Sequence, residues 1–299
     1  MEIADPVTSE ATRAPIKVLA IVGPTATGKS EVAARLARLV DGEIVSADSM
    51  QVYEKMDIGT AKPTAEILAL APHHLIGFID PSQDYSVAQF QAAARGVIEE
   101  IRKRRRLPII VGGSGLYVRS IIDPLDFPAG EPHSRLRSEL AALGRGDPAA
   151  LVERLRKIDP QAAAGVDTKN TRRVITAIEA AMRGAEAYED RQARWRKRAA
   201  VHDAVIVGLR MPRERLNALI DARVDEMIEA GLEDEVRQLA AGPKNLSVTA
   251  AQALGYKEFS AHFEGRLTRE EAIELIKRRT RQFAKRQMTW FKADPRVVW

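Results

Sequence analysis

The chain contains no cysteine. That excludes disulfides, thiolate zinc centres and cysteine nucleophiles together, and it suits a reducing compartment such as the cytoplasm. No apolar run approaches the roughly 20 residues that span a bilayer, so no membrane partner is expected. Glycine (19) and proline (15) are too scarce for a collagenous or low-complexity chain. The first fifteen residues carry Glu2, Asp5 and Glu10 and no hydrophobic stretch. They fit neither a signal peptide nor an acid-poor transit peptide, and residues 1–14 are expected to be a loose tail.

What is present is a globular composition of 299 residues, 45% hydrophobic and 29% charged. That length suggests about two units. The net charge of +5 hides an asymmetry, because residues 1–100 hold a balance of −6 and residues 101–299 one of +11. Such a split suggests that one part does chemistry while another meets a polyanion.

Short β-branched runs at 17–22, 43–46, 75–79, 107–111 and 204–209 read as strands. Helical spacing over 31–40, 87–105, 213–230, 232–240 and 268–290 alternates with them. That alternation implies right-handed crossovers and a mostly parallel α/β sheet flanked by helices. From 124 to 201 helical patterns dominate and basic residues cluster. The expected architecture is therefore a core of 15–123 and 202–299 interrupted by a mostly helical insertion, 124–201.

Gly23, Pro24, Thr25, Ala26, Thr27, Gly28, Lys29 and Ser30 fit G-x-x-x-x-G-K-[ST], after a strand and before a helix. Backbone amides of such a loop turn inward around a phosphate, and the following helix points its positive end at the anion. Lys29 supplies a mobile cation, and Ser30 offers a hydroxyl ligand for Mg2+. Phosphoryl transfer would also need a second magnesium-holding acid at a later strand end. The strand 107–111 ends instead in Gly112-Gly113. Asp48, just past EIVS, has the position of a general base facing the phosphate pocket, or of a loop cap.

These loops resemble one family, the tRNA dimethylallyltransferases of the isopentenyl transferase group. The matching pieces are GPTATGKS (23–30), SADSMQVY (46–53), DIGTAKP (57–63), HHL (73–75), VGGSGLY (111–117), RLNALIDARVDEMIEAGLEDEV (215–236), LGYKEF (254–259) and KRQMTWFK (285–292). The resemblance implies a P-loop NTPase-like fold and transfer of a dimethylallyl group from its diphosphate to the exocyclic amine of an adenosine. That adenosine lies 3′ of the anticodon in tRNAs reading codons that begin with U. It implies Mg2+ as cofactor, and as partners dimethylallyl diphosphate and the tRNA anticodon stem-loop, engaged by a monomer. It also implies that the phosphate loop holds a departing diphosphate, which accounts for the missing second acid.

By motif position, Asp48, Lys29 and Arg223 become the catalytic residues, and Arg172 joins Arg223 in clamping the diphosphate. Gln51 would hold the base edge, and Ser114 stands where the family often has threonine. The remaining implied tRNA contacts are Ser49, Met50, Arg135, Thr171, Arg173, Val174, Ile175, Gly255, Tyr256, Lys257, Lys285, Arg286, Gln287, Trp290 and Lys292. Gln252 stands where arginine is frequent. No cysteine-histidine finger follows Trp299, so the resemblance is to the bacterial type.

Four features have plainer readings. The run 102–106 is an RNA patch or a solvated helix end, where cations favour the dipole. His73 and His74 are metal ligands or loop packing. Trp195 among Arg191, Arg194, Arg196, Lys197 and Arg198 stacks on RNA or anchors a helix. Trp290-Phe291 divides between core and phosphate contact. Beside RNA prenyl transfer stand two further readings, a small-molecule kinase and an RNA-binding switch.

Overall fold

The computed structural model describes residues 18–127, 135–182, 200–242 and 244–299. Its centre is a sheet of six parallel strands: β1 (Val18–Val22), β2 (Gly42–Ser46), β3 (His73–His74), β4 (Leu107–Gly112), β5 (Ala204–Gly208) and β6 (Val297–Val298). Their order is β3-β2-β4-β1-β5-β6. Parallel pairing needs crossovers, and helices supply them on both faces.

The two-residue period of β1 shows how the faces are filled. Val18, Ala20 and Val22 join a cluster with Phe90, Ala94 and Ile98 of α3 (Val87–Lys103). Ile21 points the other way, with Ile44 and Ile109, onto Ala33, Ala34 and Ala37 of α1 (Lys29–Leu39). Three alanines let α1 approach the sheet closely. Each Val or Ile so buried contributes about 1.5–3 kcal/mol. Helix starts are written locally: Ser86 and Gln89 form a capping box for α3.

The short helices α2 (Ala65–Leu68) and α4 (Gly115–Ile122) follow β2 and β4. Then come α5 (Arg135–Gly146), α6 (Pro148–Ile158), α7 (Pro160–Gly165) and α8 (Thr171–Met182). These four gather around their own apolar cluster, which includes Leu140, Leu151, Leu155, Val174 and Ile178. Asp147 and Asp159 cap α6 and α7, each followed by proline at the first helical position. The chain returns through β5 to α9 (Arg213–Glu229), α10 (Leu232–Ala240), α11 (Tyr256–Phe263) and α12 (Arg269–Lys292).

One expected strand is displaced. The edge strand is His73–His74, and 75–79 is not a strand. Leu75 and Gly77 take φ of 63° and 58°, which a strand excludes. The segment folds back instead, and Gly77 N donates to Gln51 O at 2.8 Å. Each histidine makes one hydrogen bond within the chain. His74 Nε2 meets Glu43 Oε2 at 2.6 Å, and His73 Nδ1 donates to Ala71 O.

The basic run 102–106 is only partly a solvated end. Arg104 and Arg106 both reach the buried Glu43 carboxylate, Arg104 with two hydrogen bonds of 3.0 and 2.7 Å. Those bonds, Arg104 foremost, hold the Glu43 pKa down at about 2. Trp195 and its basic neighbours lie outside the described residues, as do residues 1–17 with the expected tail 1–14.

Candidate active site

The chain leaves β1 toward β2 on one side, passing over β4, and β4 leads on to β5 on the other. Ligands of parallel sheets bind where directions so diverge, beyond the carboxyl ends of the strands. The loops after β1 and β4 meet there, and a cavity of about 670 Å³ opens beside them.

The loop after β1 cannot carry side chains at its first turn. A Cβ on Gly23 (φ 141°) would fall 2.4 Å from Leu209 O. Gly28 is left-handed (φ 78°) and starts α1, whose first amides have no side-chain cap. Those amides and the helix dipole favour an anion. Thr27 Oγ1 and Lys29 Nζ both donate to Pro24 O, at 2.8 and 2.5 Å, and stiffen the turn.

Lys29 keeps some exposure, yet its ammonium sits among protein atoms. Desolvation lowers its pKa to about 8, against the pull of Asp48, and Arg223 lowers it further. Burial also lowers the pKa of Arg223, while Glu226 and Asp48 act to raise it. Lys29 and Arg223 are poorly solvated cations whose carboxylate neighbours are Asp48 and Glu226. With Lys62, Lys257 and Arg286 also on the wall, the cavity carries an excess of positive charge that suits a polyanionic ligand.

Arg223 reaches the cavity because α9 is fastened on both flanks. Asp221 pairs with Arg281, and Asp225 meets Lys277 Nζ at 2.7 Å, both partners on α12. From α12 the buried Gln287, only 4% exposed, reaches back to the phosphate loop and accepts from Thr25 N at 2.8 Å. Its Nε2 lies against Gly113, where a Cβ would stand 2.1 Å away.

The opposite wall is the loop after β2. Asp48 Oδ1 accepts from Met50 N at 2.9 Å and Gln51 N at 3.4 Å, an Asx-type turn. Ser49 N donates to Ser114 Oγ at 3.3 Å. The Gln51 side-chain Nε2 donates to Thr60 O (3.2 Å) and Ala61 O (3.0 Å), and Oε1 accepts from Ser46 Oγ, with one acceptor position of that oxygen left. Asp48 is thus both cap and cavity-facing carboxylate.

Of the residues read from sequence, Thr25, Ala26, Gly28, Lys29, Ser30, Asp48, Ser49, Met50, Gln51, Arg223, Gln252, Lys257, Arg286 and Gln287 line this one cavity. Arg172 does not. It is exposed on the first turn of α8, with Arg173, outside the cavity wall. Thr171 is partly exposed there, while Val174 and Ile175 are buried in the helical cluster and cannot present side chains to RNA. Gly255 and Tyr256 are buried too, Tyr256 completely. Gln287 serves the phosphate loop rather than an outer surface. Lys285, Trp290 and Lys292 are exposed on α12, with Phe291 beneath in the core. Of Arg135 the structure gives only its place at the start of α5.

Sequence reasoning missed Glu235, which accepts from three backbone amides of the 57–59 loop. Its only sequence signal is its place in the LEDEV segment.

The geometry defines a class first: a phosphate-loop α/β enzyme whose cavity gathers Lys29, Arg223 and a helix N-terminus opposite Asp48. Comparison then gives the family. The IPP transferase model matches residues 51–294, and the isopentenyl transferase model matches residues 16–76. A tRNA dimethylallyltransferase of Carboxydothermus hydrogenoformans is 47% identical over 95% of this chain and 91% of that protein. One of Kineococcus radiotolerans is 44% identical over 95% and 90%. The crystal structure of the tRNA isopentenylpyrophosphate transferase of Bacillus halodurans superposes with a TM-score of 0.69 at 42% identity, covering 95% of this chain and 89% of that one. A eukaryotic dimethylallyltransferase acting on tRNA gives 0.77 at 30% identity, over 93% and 70%. The chain belongs to the tRNA dimethylallyltransferase family, and is a transferase.

Proposed function

We propose that the protein transfers the dimethylallyl group of dimethylallyl diphosphate to the exocyclic amine of the adenosine 3′ to the anticodon, in tRNAs reading codons that begin with U. The observation that carries this is the convergence of Lys29, Arg223 and Asp48 on one cavity. A carbon–nitrogen bond forms at the allylic carbon, its bond to diphosphate oxygen breaks, and the amine proton leaves. Lys29, Arg223 and the first amides of α1 stabilise the negative charge that grows on the leaving diphosphate. Asp48 receives the proton, its second oxygen being free of the loop turn.

Ser30, at the first turn of α1 and on the cavity wall, fits a Mg2+ ligand, as a hard hydroxyl beside expected phosphate oxygens. Mg2+ held there would neutralise part of the diphosphate charge. The acceptor base cannot react while stacked, so it must be extruded into the cavity. Lys285, Lys292 and Arg286 on α12 and Arg172 and Arg173 on α8 are exposed, which supports reading them as tRNA phosphate contacts, with exposed Trp290 read as stacking on a base. A monomer is the proposed state. Among the described residues no helix is long and apolar enough to cross a membrane, and the cytoplasm is the proposed setting.

The test is incubation of the protein with Mg2+, dimethylallyl diphosphate and unmodified tRNA, followed by mass spectrometry of the anticodon loop. A prenylated adenosine is expected. No product, together with ATP hydrolysis, would overturn the reading in favour of a kinase.

A further inference from the structure

The loop 57–62 forms part of the cavity wall, yet its main support stands outside the cavity on α10. The Glu235 carboxylate accepts from Asp57 N (2.8 Å), Ile58 N (2.8 Å) and Gly59 N (3.1 Å), and Tyr256 Oη donates to it at 2.5 Å. Three successive amides turned to one point form an anion-binding nest, and here the anion is built into the chain. Hydrogen bonds to a charged acceptor are roughly twice as strong as neutral ones. The fit is tight as well. A Cβ on Gly59 would come within 2.5 Å of the Tyr256 ring and 2.9 Å of Leu232.

The next two residues of the loop, Thr60 and Ala61, turn their carbonyls to Gln51 Nε2. Gln51 N in turn lies on Asp48 Oδ1. A continuous set of hydrogen bonds therefore runs from α10 through the loop and Gln51 to the carboxylate at the reacting centre.

We infer that Glu235 is a positioning residue, which holds the Asp57–Lys62 loop so that Gln51 and Asp48 are set to receive the acceptor adenosine. The inference rests on the reading of the cavity as a prenyl-transfer site. Gly231 (φ 96°) links α9 to α10, so one helical pair brings Arg223 to the donor and Glu235 to the acceptor loop. A misplacement of about 1 Å at a reacting group can cost about a hundredfold in rate. Such loss would fall on transfer and tRNA affinity, leaving donor binding to the phosphate loop.

The experiment compares Glu235→Ala, Glu235→Gln, Tyr256→Phe, Gln51→Ala and the double variant Glu235→Ala/Gln51→Ala with the wild-type protein. Amide hydrogen exchange of peptides spanning 56–62 is measured beside single-turnover transfer and dimethylallyl diphosphate affinity. Glu235→Ala should lose protection at 57–59 and transfer at least about tenfold more slowly, with donor affinity within about twofold. The double variant should be scarcely slower than Gln51→Ala, because both act along one path. Glu235→Gln, with one acceptor oxygen retained, should fall between. Additive losses, a parallel loss of donor affinity, or unchanged exchange at 57–59 would overturn the assignment. If Glu235→Ala does not fold, Glu235→Gln and Tyr256→Phe carry the same comparison. A wild-type protein that fails to prenylate tRNA would remove the function reading, while the exchange arm would still judge the clamp.

Discussion

On the donor wall, eight consecutive residues make the site almost alone. The loop 23–30 turns on its own glycines, closes on its own Pro24 carbonyl, and needs only Gln287 and Arg223 from elsewhere. On the acceptor wall, Gln51 is held by partners at 46, 60, 61 and 77 and its neighbour Ser49 by Ser114, and behind the 57–61 loop stand Glu235 and Tyr256. Backbone amides recognise a small anion that is the same in every turnover. A base drawn from a folded RNA needs shape, and shape here comes from side chains gathered across the fold. The acceptor site is therefore expected to be more sensitive than the donor site to change at a distance.

The comparison breaks most visibly at Asp48. Asp48→Asn should cut single-turnover transfer by about 10²–10⁴. Asparagine can still accept from Met50 N through its carbonyl oxygen, so tRNA retention on filters should persist. Transfer within about threefold of wild type would leave Asp48 as a loop cap alone.

Lys29→Ala attacks the other wall. Donor turnover should fall by about a hundredfold while tRNA affinity in gel shifts holds, as for removal of one transition-state donor. A second outcome sharpens it. Because burial sets the Lys29 pKa at about 8, below its ordinary 10.5, folding disfavours the charged form at neutral pH. The unfolded chain binds this proton more tightly, so the buried charge penalises folding fully below about pH 8 and the penalty fades as pH rises toward 10.5; Lys29→Ala should lose that pH dependence of the melting temperature. In the wild type the free site loses its ammonium as pH rises through about 8, and donor affinity should decline above that point.

Salt separates the surfaces from both walls. Each phosphate contact contributes a slope of roughly −0.7 to −0.9 in log affinity against log salt. Replacing Lys285 and Lys292 on α12 should flatten the tRNA slope and leave the donor's unchanged. An unaltered slope would make these lysines a solvated face.

The smallest effect on chemistry lies at the far end of β2. Glu43→Gln replaces the carboxylate shared by Arg104, Arg106 and His74 with a neutral amide that keeps one acceptor oxygen, and should cost about 1–2 kcal/mol, read as a fall of roughly 2–3 °C in melting, with transfer unchanged. The wild-type Glu43 pKa of about 2 lies below its ordinary 4.5. Its stabilising contribution is complete above pH 4.5 and fades as pH falls toward 2.

Legibility in the sequence follows the same division. The strand of 18–22, the phosphate loop and α1 are local, and their residue types specify them outright. Asp48 was legible by position, since a carboxylate just past a strand end faces the ligand in any parallel sheet. The segment 75–79 was misread because a β-branched run gives no sign of two left-handed residues within it. Tyr256 and Gln287 belong to motifs that meet tRNA by resemblance, yet the fold turns both inward.

The sequence by itself determined the alternation of strand and helix and the anion-binding turn at 23–30, because these depend on spacing along the chain, and its motifs showed the family by resemblance. Only the tertiary structure decided that Gln287 braces the donor loop, that Arg223 and not Arg172 lines the cavity, and that Glu235 supports the acceptor wall. Those roles rest on hydrogen bonds and ion pairs between segments as much as 262 residues apart. Such pairings are fixed by how the helices pack on the sheet, and no local pattern records them.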